Sequence, residues 1–166
     1  PGDTVRVLVN RADGALRAAK AEGGDRTVYA QDDSADAQAL AVGLEAGEFR
    51  VDYQPIVDAR TGRVTGAEAL LRWTRSGYGP VPPDEFIPLA ERCGFITTLG
   101  EWVLRTACRD AAAWPRTVPA KVTVNVSGQQ MQRPDYADHV LTVLRETGLP
   151  ADRLVLEVTE STLQAD

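Results

Sequence analysis

From Phe49 onward the chain alternates between apolar and polar residues. Side chains on a strand point to opposite faces in turn, so a period of two marks a half-buried strand. FRVDYQPIV, RVTGAEALLRW, KVTVNVS and RLVLEVTES carry that mark. The first two flank DARTG, a turn signal, and are expected to pair as a hairpin. Between the second and third, PPDEFIPLAERCG and LGEWVLRTACRDAAAW read as helices, stopped by Gly94 and Pro115. RPDYADHVLTVLRETG follows the third strand. It sets Tyr136, Val140, Val143 and Leu144 at helical spacing and ends at Gly148 and Pro150. Strand, helix and strand then form a βαβ unit with parallel pairing. Upstream, QDDSADAQALAVGLEAGEF is a linker entering a helix, with Asp32, Asp33 and Ser34 as capping candidates. An alanine-rich helix from Asn10 to Glu22, ended by Gly23 and Gly24, and a short strand RTVYA precede it. The pattern is α/β, and a barrel suits it.

The same alternation sorts polar groups onto faces. Gly66, Glu68, Leu70 and Arg72 share one face of the second strand. Thr123, Asn125 and Ser127 oppose Val122, Val124 and Val126 on the third. On the fourth, Val155, Glu157 and Thr159 oppose Leu154, Leu156 and Val158, and its apolar start implies burial on both faces. Three strands therefore each deliver an oxygen-bearing side chain: Glu68, Asn125 and Glu157. A carboxylate inside an apolar strand costs several kcal/mol, on the order of 3 or more, unless it is compensated. A cation between two carboxylates would relieve their repulsion, and all-oxygen ligation favours Mg²⁺ or Mn²⁺. Arg72 suits a phosphate nearby. A plainer arrangement pairs Glu68 with Arg72, two residues along, and has Asn125 capping a turn.

Composition narrows the classes. The 166 residues suffice for one domain with a core, and 43% hydrophobic with 25% charged residues is a globular balance. A net charge of -6 argues against binding nucleic acid polymers or anionic membranes, though not against a small phosphorylated ligand. Cys93 and Cys108 form no metal or disulfide framework, which suits a reduced, cytoplasmic setting. No apolar run approaches the ~20 residues of a membrane span, and PGDTVRVLVN is not a signal peptide. His139 is expected at the surface, the three tryptophans in packing roles, and SGQQMQRP as a loop at the mouth of the site.

YQPIVDARTGRVTGAEALLRW, with Glu68-Ala69-Leu70 as its signature, resembles the opening of an EAL domain, a cyclic di-GMP phosphodiesterase family. The likeness continues in order through GPVPPDEFIPLAERCGFITTLGEWVLRTAC, VTVNVSGQQM and LVLEVTES. RADGALRAAKAEGGDRTVYA is similar to the end of a GGDEF (diguanylate cyclase) domain, whose phosphate-contacting lysine would match Lys20. Residues 1–33 are thus read as a GGDEF-like remnant plus linker, and 34–166 as the N-terminal half of an EAL-like barrel.

The resemblance implies a modified TIM (β/α)8 barrel with an antiparallel first strand, incomplete in this chain. It implies hydrolysis of cyclic di-GMP to linear pGpG with Mg²⁺ or Mn²⁺. Matched position by position, Glu68, Asn125 and Glu157 would be metal ligands, with Glu68 catalytic. Gln54, Leu70 and Arg72 would bind substrate, and Glu160 would steady a loop. The family's Asp-Asp loop and later lysine are not among these residues, so the chain alone is expected to be inactive and poorly stable. Alternatives left open are an inert cyclic di-GMP-binding module, a protein-interaction module, and a homodimer formed through the EAL domain.

Overall fold

The computed structural model describes residues 33–115 and 120–158. The expected N-terminal helix and strand, Lys20, Thr159 and Glu160 lie outside the described residues. Helix α1 spans Asp33–Glu45, and strands β1 (Phe49–Val57) and β2 (Val64–Arg75) follow. Next come β3 (Gly79–Val81), α2 (Pro83–Arg92), α3 (Ile96–Ala112) and β4 (Lys121–Val126). A short helix α4 (Gly128–Met131), α5 (Tyr136–Thr147), a 3-10 turn (Ala151–Arg153) and β5 (Leu154–Val158) complete the series.

The sheet runs β1-β2-β4-β5, with β3 paired to β2 off this path. β1 and β2 are antiparallel, with Gln54 opposite Glu68 and Phe49 opposite Trp73. β2–β4 and β4–β5 are parallel, with Asn125 beside Glu157. The hairpin and the βαβ unit therefore form as the sequence pattern indicates. The architecture is the opening portion of a barrel whose first strand is reversed.

Helices cover one face of this sheet. Along α3, Leu99, Val103, Ala107 and Ala111 recur every four residues, and all are buried. Val103, Ala107 and Ala111 meet Val122, Val124 and Val126 from β4 and Val140 and Val143 from α5. Gly148 ends α5 in the left-handed conformation, φ 70°, and its N–H bonds to Leu144 O. A second cluster closes the end of the sheet near Trp73. Leu40 of α1, Phe49, Trp73, Phe86 and Leu99 are buried there. Phe49 stacks on Trp73 at 5.1 Å, and Phe86 meets both rings edge-on.

Some expectations need correction. SGQQM is a capped helical turn rather than a loop. β5 is not buried on both faces: Val155 and Glu157 are exposed, because no described element covers that side. α3 begins at Ile96, before Leu99, and the three-residue β3 had no pattern to reveal it. His139 is half-buried, with Nε2 enclosed and without a hydrogen-bond partner among the described residues.

Candidate active site at the strand ends

The uncovered face carries the polar residues. Because β1 opposes β2, its Arg50, Asp52 and Gln54 share that face with Glu68, Leu70 and Arg72. β4 adds Thr123 and Asn125, and β5 adds Val155 and Glu157, each pair in register. Glu68, Asn125 and Glu157 thus come from the three parallel strands, toward their carboxyl ends in β4 and β5.

Glu68 has a partner. Asn125 Nδ2 donates to Glu68 Oε1 at 2.8 Å, across the β2–β4 ladder. Among the described residues Glu68 does not pair with Arg72, and Asn125 caps no turn. Arg72 instead lies 3.4 Å from Asp52 Oδ2 through Nε and donates to Leu71 O at 3.0 Å. Asp52 also accepts from Arg50 Nε at 3.0 Å. Two guanidiniums therefore share one carboxylate at the rim. Such a partly exposed pair contributes about 0–1 kcal/mol to stability, so its main effect is to orient Arg72.

Among the described residues, Gln54, Leu70 and Glu157 make no side-chain hydrogen bond within this group. Gln54 stands opposite Glu68, Leu70 opposite Asp52 and Glu157 beside Asn125. Sequence reasoning passed over Asp52, although its two-residue spacing from Gln54 places it on the same face. It also passed over Ser127, Gln129 and Gln130, which hold the turn after β4.

The donor chemistry suits a hard cation. Glu68 Oε2 and Asn125 Oδ1 meet no protein donor among the described residues, and the carboxylate of Glu157 is exposed beside them. These are oxygen donors of the type that bind Mg²⁺ or Mn²⁺. Among the described residues no three His, Cys, Asp or Glu side chains converge, so any cation here needs the Asn125 oxygen or further groups. A cavity of about 340 Å³ adjoins the site, lined by Leu70, Arg72, Ile87, Val103, Asn125 and Ser127. Its apolar walls with a few polar groups are what a flat, partly polar ligand requires. Among the described residues no helix is long and apolar enough to cross a membrane.

Fold and site together define a modified α/β barrel domain with its polar centre at the carboxyl ends of parallel strands. Residues 37–166 match the EAL domain family. The chain belongs to that family. It is 40% identical over 127 residues to cyclic di-GMP phosphodiesterase PA2567 of Pseudomonas aeruginosa, covering 76% of this chain and 22% of the relative. It is 37% identical over 178 residues to the bifunctional diguanylate cyclase/cyclic di-GMP phosphodiesterase MucR of the same organism, covering 100% of this chain and 26% of the relative. The MucR phosphodiesterase structure in complex with c-di-GMP superposes with a TM-score of 0.73 at 38% identity, over 80% of this chain and 54% of that one. The chain spans about a fifth to a quarter of the length of the curated relatives it matches.

Proposed function

We propose that this chain supplies part of the active site of a metal-dependent phosphodiesterase that opens cyclic di-GMP to linear pGpG. The observation that carries the reading is the Glu68–Asn125 bond across two parallel strands, with Glu157 in register beside Asn125. The likeness to PA2567 and to the c-di-GMP complex of MucR supports the substrate.

In this reading Glu68, Asn125 and Glu157 hold a divalent cation, Mg²⁺ or Mn²⁺. When bound, the cation supplies an activated water and neutralises charge on the phosphoryl oxygens. Arg72, oriented by Asp52, grips a non-bridging phosphate oxygen, and Gln54 reaches the ligand from the neighbouring strand. Leu70 forms an apolar wall, and Glu160, by its match to the family, would steady the loop after the strand that follows. Water adds across one phosphodiester bond, leaving a hydroxyl on one nucleotide and a phosphate on the other. Residues 1–33 are read as the end of a diguanylate-cyclase-type domain plus a linker, a reading supported by the alignment with bifunctional MucR over the whole chain.

The test is hydrolysis of cyclic di-GMP by the protein as encoded, with Mn²⁺, followed by chromatography of pGpG. Glu68→Gln should lower turnover at least about 100-fold, the upper end of what an indirect metal partner costs. Equal turnover by the variant would refute the assignment. Binding of cyclic di-GMP in chelator without turnover in Mn²⁺ would mark a sensor instead.

A further inference from the structure

The turn that follows β4 is held more firmly than a surface loop needs. Gln130 is only 3% exposed although its side chain is a primary amide. A buried amide persists only where it is bonded. Its Oε1 accepts from Ser127 N at 3.2 Å and from Ser127 Oγ at 3.2 Å. Ser127 Oγ accepts in return from Gln130 N at 3.3 Å, closing a reciprocal capping box. The amide lies flat on Gly100 of α3, where a Cβ would stand 2.3 Å from Gln130 Nε2. Any side chain at Gly100 would expel it. Next to it, Gln129 Nε2 donates to Glu91 O at 2.7 Å, tying the turn to α2.

These ties begin two residues after Asn125. We infer that Gln130 is a positioning residue: by seating the exit of β4 on Gly100, it aims the Asn125 amide at Glu68. Asn125 itself is exposed, and its one described side-chain bond is the 2.8 Å contact to Glu68. The rigidity of the turn therefore decides where the amide points. Gly100 and Gln130 also line the cavity beside Asn125, so a shift there alters the site wall as well.

Asparagine-selective ¹⁵N labelling tests this directly, since Asn10 and Asn125 are the two asparagines of this sequence. Asn125→Asp identifies the Asn125 side-chain signal. Gly100→Ala removes no hydrogen-bonding group from the chain but displaces the Gln130 amide; its gain in helix propensity offsets part of the overpacking, so the variant should still fold, with a somewhat lower melting temperature. The Asn125 signal should nevertheless shift or broaden. Gln130→Ala should do the same. If Gln130→Ala does not fold, Gly100→Ala carries the test alone. An unmoved Asn125 signal in folded Gly100→Ala overturns the inference.

A second readout rests on the proposed metal role of Asn125. Gly100→Ala should weaken Mn²⁺ binding by about 10–100-fold, as loss of an orienting partner does. Failure of Mn²⁺ to broaden the Asn125 signal in the unmodified protein would refute the metal reading, while the metal-free comparison still decides the role of Gln130.

Discussion

Gly66 packs tightly against the strand that carries Asn125. A Cβ there would lie 2.7 Å from Lys121 O, a backbone atom that no rotamer change can move aside. Ordinary contact begins at 3.4 Å, so Gly66→Ala must part β2 and β4 by about 0.3–0.7 Å at that point. Overpacking of this kind costs about 1–3 kcal/mol. Alanine regains about 0.5–1 kcal/mol because it loses less chain entropy than glycine in a strand. The overpacking cost is larger, and a net loss of roughly 1–2 kcal/mol should lower the melting temperature by about 2–8 °C. Two residues along, the 2.8 Å bond between Asn125 and Glu68 would stretch toward the limit of useful hydrogen bonding. Urea denaturation read by tryptophan fluorescence measures the first effect, and Mn²⁺ titration the second. A Gly66→Ala protein that is as stable as the parent, with unchanged Mn²⁺ affinity, would refute the argument that this close approach sets the distance between the two strands.

Two further outcomes are expected. Phe86→Ala removes a ring that is 1% exposed between Phe49 and Trp73, and should cost about 3–5 kcal/mol in chemical denaturation; a loss under about 1 kcal/mol would show that the rim cluster collapses to fill the space. Burial pushes the Cys108 thiol up to about 11 and the Tyr136 hydroxyl up to about 12. Both groups favour the protonated form in the fold, whereas the unfolded chain loses these protons at lower pH. Their contribution to stability is complete below about pH 9, declines as pH rises, and is lost beyond about 11 to 12. Cys108→Ala should flatten the lower part of that decline; a stability profile level from pH 8 to 12 would contradict it.

Much of this was legible from periodicity. Alternation placed Glu68, Asn125 and Glu157 on one side of the sheet because strand geometry leaves little choice once the hydrophobic positions are fixed. Helix spacing marked the buried face of α5 in the same way. Features that depend on partners distant in sequence were not legible. Whether Glu68 pairs with Arg72 or with Asn125 depends on which strand lies beside β2. Asp52 looked like one more polar strand residue until Arg50 and Arg72 converged on it. The four-residue α4 is too short to show a period, and its glycine start reads as a loop. β5 looked buried on both faces because Val155 is apolar, although the sheet edge leaves it 37% exposed.

The reversed first strand has a mechanical consequence. In a regular barrel of parallel strands, the chain enters from the face opposite the catalytic loops. Here β1 starts at Phe49, opposite Trp73 at the far end of β2, so α1 arrives on the same side as the site. Glu48, at the joint, is bolted to that rim: Trp73 Nε1 and Ser76 N donate to its carboxylate at 2.9 Å each, and Thr74 N donates to its carbonyl. Asp36 of α1 lies 3.7 Å from Arg92 at the end of α2. A torque applied to α1 is therefore delivered first to the strand end that carries Arg72 and to the helix beside its cavity, with no need to pass through the body of the barrel.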